Sequence, residues 1–144
     1  MTHDATVRGL ASSETVEGGS VPVVLLDAGG TVVPIFVSPD QARSMQHALE
    51  DEPFERPLTH DLLLEVAREF GGAIDRVRID DLADGTFYAK LDAEEYRDGD
   101  RRQVTFDARP SDAIALALRL DCPITVSEHV VERAGRPPGE FESL

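Results

Sequence analysis

The chain has 144 residues, with 28 acidic against 14 basic side chains and a formal net charge of −14. That length suits one domain, and a chain of this size buries roughly 68–70% of its unfolded surface. The longest apolar runs, Val21 to Leu26 and Ala113 to Leu118, fall far short of the ~20 residues of a spanning helix. No basic, apolar leader opens the sequence, so the expected location is the cytoplasm. Cys122 is the single cysteine, which excludes a disulfide framework and a cysteine-cluster metal site.

Of the 14 basic residues, Lys90 is the one lysine and 13 are arginines. Excess carboxylate with lysine nearly eliminated is expected of a halophilic protein, because at ~1 M salt a Debye length of about 3 Å screens self-repulsion. An ordinary acidic protein is the alternative. Either way the charge concerns solvent and solubility, and no basic groove for nucleic acid is visible in the totals.

Residues 4–11 predict a first strand, and Ser12 to Ser20 a polar connection. Val21–Leu26 and Thr31–Val37 are β-branched runs around Asp27-Ala28-Gly29-Gly30, the pattern of a hairpin. Pro34 in the second run marks an edge or a bulge. Ser38-Pro39-Asp40-Gln41 opens a helix, with Ser38 and Gln41 spaced as a capping box and Pro39 at the first helical position. Ala42, Met45 and Leu49 recur at helical spacing before Glu50-Asp51-Glu52-Pro53 ends the element. A second helix runs from a Thr59 cap to Phe70, its apolar face being Leu62, Leu63, Val66 and Phe70, and Gly71-Gly72 stops it.

Period-two alternation then returns through Val77 and Ile79, through Thr86–Leu91 after an Asp84-Gly85 turn, and through Gln103–Asp107 after Asp98-Gly99. Ser111 to Leu120 is a third helix, apolar on every side at Ala113–Leu118 and therefore expected at the centre of the domain. Ser127 begins a shorter helix through Arg133, and the tail from Gly135 reads as loose. Pro39-Asp40-Gln41-Ala42 is echoed by Pro110-Ser111-Asp112-Ala113, and Pro57-Leu58-Thr59 by Pro123-Ile124-Thr125. Six strands and four helices in that order suggest a duplicated unit within one α+β domain, since neither half has core enough alone.

Arg56-Pro57-Leu58-Thr59-His60-Asp61 and Asp107-Ala108-Arg109-Pro110-Ser111-Asp112, with Thr86-Phe87-Tyr88-Ala89 between them and Ala113–Arg119 after, resemble the bifunctional nuclease family (BFN domain). Val33-Pro34-Ile35 and Pro123-Ile124 fall in the family's order. Two departures stand out: Phe36-Val37-Ser38-Pro39 replaces the Ile-Gly pair that usually follows Pro-Ile, and Gln41 stands where a glutamate commonly precedes the alanine. The resemblance implies two strand-strand-strand-helix-helix repeats sharing one barrel-like mixed sheet, and nuclease activity on DNA and RNA. The chain accordingly divides into an N-terminal strand and polar connection (1–20), a BFN-like domain (21–134, repeats about 21–72 and 73–134) and a flexible tail (135–144).

The residues themselves offer His60-Asp61 as a general base beside a carboxylate, and Asp107 with Asp112 as ligands for Mg²⁺ or Mn²⁺. Arg56 and Arg109 offer bidentate donors to phosphate, beside helix N-termini whose free amides suit an anion. Packing explains the same residues another way: Thr59 and Ser111 as caps, Asp61 and Asp112 as first-turn acids, and the arginines as their partners. His3, His47 and His129 lack the spacing of a metal-dependent HD phosphohydrolase, and Cys122 reads as a small hydrophobe. No organic cofactor and no membrane partner are expected; a homo-oligomer is. Two functions follow: a metal-assisted endonuclease of low sequence specificity, or a non-catalytic module that binds a protein or a small anionic ligand.

Overall fold

A computed structural model describes residues 1–14, 17–50 and 56–141. The chain begins with a three-stranded meander, β1 (Thr2–Glu14), β2 (Ser20–Ala28) and β3 (Thr31–Phe36), followed by helices α1 (Pro39–Glu50) and α2 (Thr59–Glu69). A second meander follows, β4 (Gly72–Ala83), β5 (Thr86–Arg97) and β6 (Asp100–Ala108), then α3 (Pro110–Leu120), β7 (Ile124–Ser127), α4 (Glu128–Ala134) and a 3-10 turn at Pro138–Phe141. Among the described residues this makes four α-helices and one seven-stranded mixed sheet of order β3-β2-β1-β7-β4-β5-β6, an α+β fold.

Local chemistry explains most of these boundaries. Asp84-Gly85 and Asp98-Gly99 both have positive φ, the conformation that joins strands in a two-residue hairpin turn. At α1 the capping box is complete: the Gln41 N–H donates to Ser38 Oγ, and the Ser38 N–H donates to Gln41 Oε1. At α4 the Ser127 hydroxyl accepts from the Val130 N–H. Pro34 sits on β3, an edge strand, where its missing N–H costs no ladder bond. Gly71 ends α2 at φ +85, and a Cβ there would stand 2.6 Å from the Tyr96 carbonyl oxygen, so only glycine fits.

Several expectations are corrected. β1 continues through Ser12–Glu14, where a polar connection was expected, because these residues pair with β2 along its edge. β7 was not foreseen: a four-residue run is too short to show a period, yet it is central, antiparallel to β1 and parallel to β4. The second half therefore interposes a strand between its two helices, and the sheet's pairing leaves β3 and β6 as open edges. The tail is tied down as far as it is described, with Arg136 and Val32 exchanging backbone hydrogen bonds at 2.7 and 2.9 Å. The expected end of α1 at Asp51-Glu52-Pro53 lies outside the described residues.

The core lies between one face of the sheet and the helices. Val24, Leu26, Val77, Ile79, Ala89 and Val126 pack against Ile114 and Leu116 of α3, with Met45 and Val130 closing the sides. Ala113 to Ala117 are all buried, as the apolar run predicts. α2 differs. None of its residues is buried, and Leu62, Leu63, Val66 and Phe70 point outward. Its inward stripe is His60, Leu64 and Ala67, which brings polar groups to α3.

Candidate functional site

Three helices converge on one cluster. From α1, Ser44 Oγ lies 2.8 Å from His60 Nδ1 on α2. His60 Nε2 lies 2.9 Å from Asp112 Oδ1 in the first turn of α3. The other Asp112 oxygen accepts from Arg109 Nε at 2.8 Å, just ahead of that helix. A lower tier backs this one: Arg119 Nε donates to Asp61 Oδ1 at 2.7 Å, and the second Asp61 oxygen accepts from the Leu58 N–H at 3.0 Å.

The two tiers follow from helix geometry. His60 and Asp61 are consecutive and point about 100° apart, so they cannot share a partner. The expected His60–Asp61 pairing is corrected on this ground: the carboxylate on His60 is Asp112, and Asp61 serves Arg119. The caps also differ from expectation. Leu58 and Arg109, not Thr59 and Ser111, occupy the N-cap positions, with Asp61 reaching back to the Leu58 amide. Ser111 is buried, and its hydroxyl has no partner among the described residues.

Electrostatics keep both carboxylates ionised. Burial pushes the Asp112 carboxyl up, but hydrogen bonds from Arg109 and His60 outweigh it and hold the group below its ordinary value. Asp61 behaves alike, with burial opposed by the Arg119 hydrogen bond and the Leu58 amide. The Asp112 bond raises the Arg109 guanidinium.

The upper tier opens to solvent. A cleft of about 340 Å³ is lined by Asp40, Gln41, Arg43, Ser44, Thr59, His60, Arg109 and Asp112, with Leu58 at its edge. Arg109 has 69% of its side chain exposed. A second hollow of about 320 Å³, bordered by Phe36, Thr86, Phe87 and Ser111, shares Gln41 and Arg109 with the first. Arg109 therefore stands between two adjoining clefts. Ser44, by contrast, is 9% exposed, and its hydroxyl oxygen also accepts a hydrogen bond from Arg119, beside its contact with His60. The order hydroxyl, imidazole, carboxylate is that of a nucleophile triad, but this hydroxyl is buried and bonded to the Arg119 guanidinium.

The remaining expected site residues fall elsewhere. Arg56 is exposed two residues before the α2 N-cap and does not line the cleft. Asp107 lies on β6 paired with Lys90 on β5, and its carboxylate accepts from Lys90 Nζ at 2.8 Å. Its strand neighbours Phe106 and Ala108 pair with core-facing Leu91 and Ala89, so alternation turns Asp107 to the face away from the helices. Asp112 lies on the helix side. The pair therefore does not form a shared site for Mg²⁺ or Mn²⁺, both Asp112 oxygens are already engaged, and among the described residues no group of three His, Cys, Asp or Glu could hold a metal. Among the described residues the donor set does not fit a resident divalent ion.

The far face of the sheet has a larger hollow, about 630 Å³, lined by Arg76, Arg78, Asp92 and Thr105. Its charges neutralise one another: burial raises the Asp92 carboxyl, but hydrogen bonds from Arg78, Arg76 and Thr105 carry it down to about 2. Cys122 is half-buried, and burial pushes its thiol up, as for an unreactive side chain.

Ser44 and Arg119 were missed in the sequence. Ser44 sits mid-helix with no motif around it, and Arg119 reads as a last-turn cation complementing the helix dipole. One signal was available, since Asp112 and Arg119 share a stripe of α3.

The family model for the bifunctional nuclease domain matches residues 23–138. An uncharacterized protein of Mycobacterium tuberculosis is 41% identical over 118 residues, covering 79% of this chain and 66% of that protein. Bifunctional nuclease 1 of Oryza sativa subsp. japonica is 26% identical over 128 residues, 89% of this chain and 38% of that protein. Bifunctional nuclease 2 of Arabidopsis thaliana is 27% identical over 129 residues, 83% and 39% respectively. The chain thus spans just under two thirds of the bacterial relative's length and under two fifths of the plant relatives'.

Proposed function

This chain belongs to the bifunctional nuclease domain family, and from that premise we propose that it hydrolyses phosphodiester bonds in DNA and RNA at the His60–Asp112–Arg109 cleft. One observation carries the reading: a histidine and an aspartate 52 residues apart meet at 2.9 Å in an open cleft beside an exposed arginine. Hydrolysis needs a proton taken from the attacking water and charge neutralised on the phosphorane. Arg109 supplies the second need by turning its guanidinium from Asp112 to a phosphate oxygen, joined by Arg43 from α1, which lines the same cleft. That move also supplies the first. It frees one Asp112 oxygen and removes a hydrogen bond that depresses the carboxyl, so Asp112 becomes the more basic when substrate is bound. Contacts of this kind are to phosphate, which carries no sequence information, so low specificity follows.

The expected Mg²⁺ or Mn²⁺ enters as an arm of the test, and no step is routed through it. A −14 protein repels a polyanion, so binding is weak at low salt. The halophilic reading places the assay in molar KCl, where that repulsion is screened. Purified protein is incubated with single-stranded DNA, RNA and plasmid, with and without metal. Wild type cleaves; His60→Ala and Asp112→Ala do not, while both remain folded by circular dichroism. Cleavage surviving both substitutions identifies a contaminant.

One observation favours the non-catalytic module: both His60 nitrogens and both Asp112 oxygens already have partners within the protein. On that reading Arg109 and Arg43 receive a small anion that is bound and released unchanged. Calorimetry with inorganic phosphate showing binding, together with no cleavage, decides for it.

We also propose a homo-oligomer. Leu62, Leu63, Val66 and Phe70 on α2, with Tyr96 joined to Gly71 by a backbone hydrogen bond, expose apolar surface on the order of 500 Å². That is the size of the largest patch on an ordinary monomer, where such patches are often functional, and well over half of one partner's share of a standard interface, about 800 Å². A second copy presenting the same stripe would cover it isologously.

A further inference from the structure

We infer that Arg119 and Ser44 are positioning residues that, together with the ionised Asp112 at the other ring nitrogen, fix which nitrogen of His60 carries its proton. The inference rests on the reading of His60 as a working member of the cleft. Arg119 leaves α3 with its side chain only 6% exposed and ties three helices together. Its Nε donates to Asp61 on α2, one terminal nitrogen donates to the Ala115 carbonyl at 2.9 Å, and the other reaches the Ser44 carbonyl at 3.3 Å and Ser44 Oγ at 3.1 Å.

Direction follows from donor chemistry. A guanidinium only donates, so at Ser44 it occupies an oxygen lone pair and cannot accept the hydroxyl hydrogen. That hydrogen goes to the other partner in reach, His60 Nδ1 at 2.8 Å. A nitrogen that accepts carries no hydrogen of its own, so in the neutral ring the proton sits on Nε2, which faces Asp112. The hydrogen bonds thus run one way, from buried Arg119 through Ser44 and His60 to Asp112, where Arg109 arrives from the opposite side. A permanent cation stands at each end. The proton is presented to the cleft, and the lone pair is held in the interior. Asp61 has a part without touching His60: it anchors the guanidinium that sets the direction.

The test reads the ring directly. Full-length protein labelled with ¹⁵N is examined by long-range ¹⁵N–¹H correlation of its histidine rings at about neutral pH, with His60 assigned by its loss in His60→Gln. Wild type shows a protonated Nε2 and an unprotonated Nδ1. Ser44→Ala, an alanine in a helix interior and so compatible with folding, loses this fixed pattern and moves to a mixture of the two forms. Arg119→Lys, which cannot span Asp61 and Ser44 with a planar fork, moves the same way. A wild-type proton on Nδ1, or an unchanged His60 pattern in both variants, overturns the inference. If wild type cleaves nucleic acid, Ser44→Ala lowers the rate by at least ~10-fold and displaces the pH profile; an unaltered profile also counts against the assignment. Because the readout is a ring nitrogen, an inactive protein with the expected spectrum refutes the nuclease reading and leaves this one standing.

Discussion

Helices α2 and α3 are each 11 residues long, and both carry apolar residues at helical spacing, yet α3 buries six residues and α2 none. For α3 the apolar run decides, and the helix sinks into the core. For α2 the polar contacts decide: His60 must meet Asp112 and Asp61 must meet Arg119, and satisfying both turns the most hydrophobic stripe outward. Phe70 is 80% exposed as a result. The Arg119 guanidinium, 6% exposed, would cost several kcal/mol if left without its partners, more than the roughly 1.5–3 kcal/mol for burying one leucine.

Breaking the polar clamp has the largest expected effect. Arg119→Met removes the four hydrogen bonds of a buried guanidinium, leaving the Asp61 carboxylate to the Leu58 amide, and should cost about 3–5 kcal/mol in urea unfolding. Ile114→Ala in α3 should cost about 2–5 kcal/mol through its cavity, while Leu63→Ala on α2 stays within about 0.5 kcal/mol at low protein concentration. Equal losses at the two positions would erase the contrast.

Acid sharpens the comparison further. Asp61, Asp92 and Asp112 all have depressed carboxyls in the folded protein, Asp92 at about 2. A depressed folded value contributes stability that is complete above the unfolded value of ~3.9 and is lost as pH falls through the folded one. Stability should therefore hold toward neutrality and decline below about pH 4. Asp92→Asn, on the far face of the sheet, should cost about 1–2 kcal/mol at neutral pH and flatten that decline, leaving the α2–α3 contacts intact. The smallest effect on stability, below about 0.5 kcal/mol, is expected for Phe70→Glu. Its consequence is mass: light scattering in molar KCl should report an oligomer for wild type and a monomer for the variant, and a wild-type monomer rules out the second copy.

The legible parts of the sequence were those written in local chemistry. The Ser38/Gln41 capping box, both Asp-Gly turns, the Pro34 edge and the Ala113–Leu118 run, buried as far as Ala117, each depend on neighbours within a few residues. β7 was illegible because four residues carry no period, and its central place comes from pairing with β1 and β4, distant in sequence. At the site, His60, Arg109 and Asp112 were legible as chemistry and meet in space. Their partners were not. The pairing of His60 with Asp112, rather than with adjacent Asp61, comes from helix packing, as do the roles of Ser44 and Arg119. Asp107 looked equivalent to Asp112, and only strand alternation separates the faces on which they stand.

The central claim is that the cleft between α2 and α3 acts on phosphodiester bonds. Its most direct test is the cleavage rate of RNA and single-stranded DNA in molar KCl by wild type, Asp112→Asn and His60→Ala, all purified identically and all folded by circular dichroism. The account predicts cleavage by wild type and a loss of at least ~100-fold in each variant. Equal rates in all three, or none in wild type with or without added Mg²⁺ or Mn²⁺, would contradict it.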